Sequence, residues 1–256
     1  MNERALKAEA SSWDFDWTPP GYRGIDRADV RAWCYDGAWA GSRGVGRARW
    51  SDAEVAKGID EIKRFFGGCG APVRWYVGPS TRSSRLVNLL SARARAIHEP
   101  RLMTARLDSL RFRTNGAVEI REITDESQIR AMIDAAFPEF SAERREIAIA
   151  EKAAYLRARR RGGEFLAYLD EELVGFANWR DASDGVCVQL VGAWTKPARR
   201  GDGVYSTLTT YRCARARERG LRYAAIVADP TTSGPIVAKA GFADHGPLRI
   251  YVDVRL

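Results

Sequence analysis

Residues 195–206, TKPARRGDGVYS, decide the fold of the C-terminal half of this chain. The apolar run before them predicts a strand that ends at Thr195, and the run after them predicts a helix that begins at Gly203. Between the two, the chain turns with glycine at two alternate positions, Gly201 and Gly203, where no Cβ obstructs a close approach to the backbone. We therefore expect the free N–H groups of a helix start to point at one spot on this turn.

The turn is also rich in positive charge. Arg199 and Arg200 add two guanidinium groups to the partial positive charge of the helix N-terminus. N–H groups, helix dipole and arginines together favour an anion of the size of a diphosphate. An ordinary strand–helix connection with turn glycines is the alternative interpretation of these residues. The turn contains neither a GxxxxGK[ST] loop nor a βαβ dinucleotide fingerprint, so it indicates no nucleoside triphosphatase and no Rossmann site.

The segments around the turn predict a mixed sheet with helices on both faces. Strands are predicted at 117–123, 164–169, 173–179, 186–195, 221–228 and 249–254. Helices are predicted at 125–137, 141–161 (with Ile147, Ala150, Ala154 and Leu156 inward), 203–219 and 232–240.

The N-terminal half gives a less regular pattern. We expect an irregular lead-in over 1–22, a helix over 27–39 capped by Asp26, and a Gly/Arg loop over 42–50. Ser51 and Glu54 form a capping box for a helix that ends at Phe66. A strand at 73–77, a helix at 83–96 and a strand at 102–110 follow, and the turn-prone segment 111–116 is the predicted domain boundary.

Two short motifs in the C-terminal half resemble those of the GNAT acetyltransferase superfamily. RGDGVY at Arg200–Tyr205 matches the family's Gln/Arg-x-x-Gly-x-Gly/Ala pattern in all but its last position, and KAGF at Lys239–Phe242 is similar to its closing K-x-G-F. The resemblance covers residues 117–256. It implies an α/β (α+β) fold with a mixed central sheet flanked by helices, complete in domain 115–256. Domain 1–114 resembles a degenerate copy of the same unit, which would make the chain a tandem GNAT protein.

The resemblance implies an acyl-CoA cosubstrate, with acetyl-CoA the expected one, and no metal. In the family the central strand splays from its neighbour, and the thioester carbonyl lies against its backbone; here that amide would be Trp194 or Thr195. The residues matched to the CoA site are Ala193, Trp194, Thr195, Arg199, Arg200, Gly201, Asp202, Gly203, Val204, Tyr205, Ser206 and Ser233.

The sequence departs from the family at its catalytic positions. The central strand VCVQLVGAWT has no carboxylate where many relatives place a general base, and Val237 stands where the usual acid is a tyrosine. Tyr205 and Asp229 are our candidate substitutes, with core packing and helix capping as their alternative roles. Asn178, Gln189 and Tyr251 are the candidate substrate-contacting residues.

Bulk composition narrows the function classes. The chain has 256 residues, a net charge of +8, four cysteines without a CxxC pair, and two histidines with no partner at triad spacing. A disulfide framework, a zinc site and a Ser-His-Asp hydrolase are therefore not indicated. We find no membrane span and no secretory signal, so a cytoplasmic protein is expected. The excess of basic residues lies in 1–114, and we expect these residues to form a solvated surface, with a docking face for an acidic partner as the alternative. The sequence contains no recognised nucleic-acid-binding motif.

The expected function is transfer of an acyl group from acyl-CoA to an amine of a small molecule, peptide or protein, by direct attack of the amine on the thioester. A monomer or a homodimer would suit this function. Two alternatives stay open: a non-catalytic acyl-CoA-binding regulatory module, and a transferase that takes its acyl group from charged tRNA or a carrier protein.

Overall fold

Two mixed β-sheets organise the chain in the computed structural model, which describes residues 2–39, 41–67, 72–158 and 161–252. The strands are β1 (Arg23–Asp26), β2 (Arg31–Cys34), β3 (Arg43–Gly46), β4 (Arg74–Val77), β5 (Ala96–His98), β6 (Arg101–Arg106), β7 (Glu119–Glu122), β8 (Gly162–Leu169), β9 (Glu172–Asp181), β10 (Cys187–Thr195), β11 (Tyr223–Ala228), β12 (Ala243–Pro247) and β13 (Arg249–Val252). The helices are α1 (Glu3–Ala10), α2 (Val55–Phe66), α3 (Ser84–Arg93), α4 (Glu126–Ala136), α5 (Ala142–Arg157), α6 (Val204–Glu218) and α7 (Ser233–Lys239).

The second sheet holds the strand–turn–helix unit formed by β10, the turn 196–203 and α6. Its strand order is β12-β6-β11-β10-β9-β8-β7, and β10 and β11 form its parallel pair. Helix α6 packs on one face, where Val204 and Leu208 join a core with Leu190 and Ile226. Helices α4 and α5 cover β8 and β9 on the other face. The predicted mixed α/β sheet with helices on both faces is confirmed.

The two sheets exchange strands across the predicted boundary at residue 114. Strand β6 lies between β11 and β12 in the second sheet, with Arg101–Arg106 antiparallel to Tyr223–Ala228. Strand β13 lies between β4 and β5 in the first sheet, whose order is β1-β2-β3-β4-β13-β5. The division into domains at residue 114 stays a prediction. Dividing the chain there would separate β6 and β13 from the sheets to which they belong.

The first fifty residues differ most from the sequence prediction. The expected lead-in contains α1, whose start is capped by the Asn2 side chain accepting from the Arg4 N–H, and whose Ala5 and Ala8 are buried. The expected helix over 27–39 is wrong, because residues 23–34 form the β1–β2 hairpin. Asp26 caps no helix there and instead forms ion pairs with Arg31 and Arg47.

The expected Gly/Arg loop over 42–50 is also wrong, because residues 43–46 form the buried strand β3. Its glycines make room for indole rings. A Cβ on Gly44 would lie 2.3 Å from the ring of Trp33, and one on Gly46 would lie 2.4 Å from the ring of Trp13. Glycine here serves ring packing, whereas its frequency in turns led to the loop prediction.

Most later elements match their prediction within a few residues, including α2, α3, β4 and the whole series from β7 to α7. The short strands β5 and β12 were missed. Helix α5 is rotated from its predicted register, since Ile147 is 43% exposed while Ala148 and Ile149 are buried. The C-terminal ends predicted for α5 and β13 include residues outside the described ranges. Cys69 also lies outside these ranges.

Glu9 on α1 is fully buried beside the loop that follows β4. Its carboxylate accepts hydrogen bonds from the Ser80 N–H at 2.9 Å and from the Ser80 hydroxyl at 2.7 Å. Burial nevertheless raises the pKa of Glu9 from an ordinary 4.5 to about 7. Folded Glu9 thus binds its proton more tightly than unfolded Glu9, and the folded protein loses stability as pH rises from about 4.5 to 7.

Replacing Glu9 with Gln should remove this loss, because the amide has the same shape and no charge to desolvate. We expect Glu9→Gln to raise the free energy of unfolding at pH 8 by up to about 3 kcal/mol, with little change at pH 4. Urea unfolding at both pH values measures it, with Glu3→Gln on the exposed side of α1 as the control. If the free energy of unfolding depended on pH equally in Glu9→Gln and wild type, the raised pKa of Glu9 would be contradicted.

Candidate functional site

Strands β10 and β11 separate halfway along their length. Their parallel register runs from Cys187 opposite Tyr223 to Leu190 opposite Ile226, and the described residues show no pairing beyond that point. Against β9, the register of β10 shifts between Val191 and Ala193. Gly192 at this bulge has φ +56°, and a Cβ there would meet the Asn178 side chain at 2.9 Å. The bulge turns the second half of β10 away from β11 and opens a fork.

A cavity of about 1210 Å³ occupies the fork. Its walls come from the splayed end of β10, the turn 199–203, the first turn of α6, the end of β11 and α7. Predicted site residues in these walls are Ala193, Trp194, Thr195, Arg199, Arg200, Gly201, Asp202, Gly203, Val204, Tyr205, Ser206, Asp229 and Ser233.

The turn has the backbone geometry of an anion cradle. Gly201 and Gly203 have φ of +96° and +79°, in the left-handed region that favours glycine. The first hydrogen bond of α6 runs from the Thr207 N–H to the Gly203 carbonyl at 2.9 Å. The N–H groups of residues 204–206 precede it and belong to residues that line the cavity. They can therefore donate to an anion bound there.

The segment 113–116 supports this turn through contacts that the sequence did not predict. The Asn115 side chain donates to the Asp202 carbonyl at 2.8 Å, and the Asn115 N–H donates to the Thr207 hydroxyl at 2.9 Å. A Cβ on Gly203 would lie 3.2 Å from that of Asn115. The sequence predicts only a turn-prone segment over 111–116, because the contact of Asn115 with residues about ninety positions away has no local signature.

The two arginines of the turn differ in their surroundings. Arg199 donates to Glu172 from Nε at 3.0 Å and from Nη2 at 2.9 Å, and Lys196 binds the same carboxylate. Arg200 is exposed and has no ion pair within the described ranges. An anion in the cavity would therefore meet the charge of Arg200 in full, while that of Arg199 is largely balanced by Glu172.

Tyr205 brings a phenol to the cavity. Its hydroxyl is buried near the hydroxyls of Thr209 and Ser233, without a hydrogen bond of good geometry to either. Burial raises the pKa of Tyr205 above its ordinary value of 10. The phenol is therefore neutral at physiological pH, so it can donate a proton but cannot serve as a base.

Asp229 lies at the rim of the cavity but is occupied by the turn that leads into α7. Its carboxylate accepts from the N–H groups of Thr231 at 2.9 Å and Thr232 at 2.8 Å, and from both hydroxyls. These bonds lower its pKa, because they favour the charged form. The geometry is that of a turn-capping residue, the alternative role that its sequence position allowed.

The structure does not bring the three predicted substrate residues together. Gln189 is buried, bonds to Arg180 and Asp14, and lines a second cavity of about 360 Å³. The Asn178 side chain lies against Gly192, where a Cβ would be 2.9 Å from its Nδ2 atom. Tyr251 lies in the first sheet, where its hydroxyl is 3.0 Å from that of Ser91, because β13 crosses to that sheet.

The remaining side-chain chemistry is sparse in the part of the chain that the structure describes. Cys34, Cys187 and Cys213 are buried. Burial raises the pKa of the Cys187 thiol to about 12, which disfavours a nucleophilic role. No group of three His, Cys, Asp or Glu within these ranges is placed to hold a metal ion. Their helices include none with the length and apolar character of a bilayer span.

Residues 128–242 match the model of the Acetyltransferase (GNAT) family. This part of the chain is a GNAT-family domain. The match includes the fork, the turn 195–206 and the KAGF ending, so the resemblance inferred from the two sequence motifs is confirmed. A search of curated protein sequences finds no match.

Solved structures share the fold over nearly the whole chain. A GCN5-related N-acetyltransferase from Kribbella flavida superposes with a TM-score of 0.72 at 16% identity, covering 99% of this chain and 96% of that one. A tandem GNAT protein from the clavulanic acid biosynthesis pathway has a TM-score of 0.60 at 13% identity, covering 94% and 85%. A conserved protein of unknown function from Staphylococcus epidermidis has a TM-score of 0.66 at 14% identity, covering 91% and 94%. The tandem GNAT fold is thus confirmed, while the degeneracy of the N-terminal half stays a prediction.

The left-handed conformation of Gly203 yields a test of the cradle. Gly203→Ala should lower the free energy of unfolding by roughly 1–2 kcal/mol through backbone strain and should also weaken CoA binding, because a Cβ would displace the turn from Asn115. Gly220→Ala is the matched control, since Gly220 has φ +83° at the other end of α6 with open space around it. Thermal unfolding and calorimetric titration with CoA measure the two effects. Equal CoA affinity in both variants would contradict a role for this turn.

Proposed function

We propose that the protein is an N-acyltransferase that moves an acyl group from acyl-CoA to an amine of a small molecule, peptide or protein. The observation that carries this proposal is the fork between β10 and β11, which opens directly onto the N-terminus of α6. The family description is that of acetyltransferases, so acetyl-CoA is the first cosubstrate to test.

The cavity fits the shape and charge of such a cosubstrate. Its volume of about 1210 Å³ exceeds that of most small-ligand pockets, as an elongated molecule requires. The turn offers N–H groups and Arg200 to the diphosphate. The splayed part of β10 offers backbone groups, which no described strand pairs, to the pantetheine arm in the manner of an added strand.

Strand register selects among the amides that could polarise the thioester carbonyl. The Lys196 N–H donates to Val174 on β9 at 2.8 Å. Because hydrogen-bonding directions alternate along an antiparallel strand, the N–H of Trp194 also faces β9, while those of Thr195 and Ala193 face the fork. Of the two amides that the sequence left open, that of Thr195 faces the fork, but residues 194 and 195 lie level with Val204 in the first turn of α6. We therefore propose that Thr195 pairs with the pantetheine arm and that the Ala193 amide, nearer the closed end of the fork, donates to the carbonyl oxygen.

The proposed reaction forms a bond between the amine nitrogen and the acyl carbon while the carbon–sulfur bond breaks. The sulfur leaves with the bonding electrons and takes up a proton. Tyr205 is the proposed donor of that proton, since its raised pKa keeps it protonated and its hydroxyl makes no hydrogen bond to any described residue. The amine attacks in its neutral form and releases its own proton to solvent, and Tyr205 regains a proton from solvent after the thiol has left.

Reversing the charge of Arg200 tests the binding site. Arg200→Glu should weaken acetyl-CoA binding by at least about tenfold, because one charge-assisted contact is lost and a repulsion is added. Arg217→Glu, an exposed change in the last turn of α6, is the control. Isothermal titration measures both. If Arg200→Glu binds acetyl-CoA as wild type does, the proposed site is wrong.

Removing the phenol of Tyr205 tests the chemistry. Tyr205→Phe should lower kcat by about a hundredfold, the usual contribution of a positioned acid, with KM for acyl-CoA nearly unchanged. Release of free thiol with an acceptor amine gives the rate. An unchanged kcat would rule out Tyr205 as the proton donor.

A non-catalytic acyl-CoA-binding module is the second candidate, because the carboxylates that line the cavity are few. Asp229 is held by its turn, and Asp202, the other carboxylate in the described cavity walls, lies 4.0 Å from Nη1 of Arg199. Acyl-CoA binding without thiol release across a panel of amines would favour this candidate over the enzyme.

A further inference from the structure

Arg212 is a buried cation that has no carboxylate partner among the described residues. Its side chain on α6 is 1% exposed. Nη1 donates to the Asn178 backbone carbonyl at 2.9 Å and Nη2 to the Thr209 hydroxyl at 3.0 Å, while Nε has no acceptor. Both partners are neutral, so the charge is hydrogen-bonded but not balanced.

Arg180, another desolvated arginine, differs from Arg212 in having carboxylates nearby. Arg180 is also deeply desolvated, but Asp14 and Asp16 lie close enough to oppose the lowering of its pKa. Burial lowers the pKa of Arg212 as well, and among the described residues the groups that oppose this are the neutral phenol of Tyr205 and the thiol of Cys213. An arginine stays protonated even so, and a buried charge without a counter-ion is costly. A bound anion would remove that cost.

Arg212 stands where the acyl end of a bound donor would lie. It lines the same cavity as Leu190 and Ile226, the last paired residues at the closed end of the fork. It also lies two turns of α6 beyond Val204, about 12 Å along the helix axis. A donor with its diphosphate at the first turn would therefore carry its thioester inward, toward Arg212.

We propose that the acyl group of the donor ends in a carboxylate and that Arg212 binds this carboxylate. The donor would thus be the CoA thioester of a short dicarboxylic acid. Leu190 and Ile226 would contact its methylene groups, and the guanidinium would pair with its terminal oxygens. The distal carboxylate takes no part in the transfer, so the product is an amide that retains a free acid. This inference rests on the acyl-CoA site proposed above.

Calorimetric titration of the whole protein with matched thioesters tests the proposal. Malonyl-CoA is compared with propionyl-CoA, and succinyl-CoA with butyryl-CoA, because each pair has equal chain length and differs in its terminal group. Wild type should bind at least one diacid thioester about tenfold more tightly than its partner. Arg212→Met should abolish that preference while binding free CoA as wild type does, and Arg212→Lys should keep part of it. Arg217→Met is the matched control on the same helix.

The outcomes separate this inference from the function on which it rests. If free CoA binds but wild type prefers neither diacid, the carboxylate proposal is overturned and the acyl-CoA site stands. If the preference persists in Arg212→Met, Arg212 is not the residue responsible and the proposal is likewise overturned. If free CoA fails to bind, the proposed function itself fails. Should Arg212→Met not fold, the wild-type comparison alone decides, since it needs no variant.

Discussion

The end of the parallel pairing between β10 and β11, at Leu190 opposite Ile226, is the constraint on which the site depends. Beyond it, backbone groups on one edge of β10 have no strand partner in the part of the chain that the structure describes, and such groups must bond to something or lose free energy. The bulge at Gly192 makes the separation possible, because its left-handed conformation and the closeness of Asn178 exclude a side chain. A ligand that resembles a strand is what the opened edge accommodates.

Both halves of the chain build the frame around this fork. Strand β6 completes the sheet beside β11, and Asn115 in the connecting segment holds the turn that carries Gly203. In exchange, β13 completes the first sheet. The second sheet is therefore not independent of the residues before 114, and the N-terminal half contributes structure to the site whether or not it contacts a substrate.

The sequence predicted best where local chemistry decides structure. The turn at Gly201 and Gly203, the helix after it and the strand before it were all correctly placed, because glycine at positive φ and apolar periodicity are local signals. Predictions failed where distant packing decides, as at Gly44, which makes room for the ring of Trp33. Arg212 was overlooked although it stands at helical spacing from Val204 and Leu208, where a charged residue on an apolar face is itself a signal.

The central claim is that the first turn of α6 binds the diphosphate of CoA while the fork takes its pantetheine arm. A crystal structure of the protein with CoA tests it most directly. We expect diphosphate oxygens within hydrogen-bonding distance of the N–H groups of residues 204–206 and of the Arg200 guanidinium, with the thiol directed between β10 and β11. A diphosphate bound elsewhere, or a fork closed by pairing of Thr195 with β11, would contradict it.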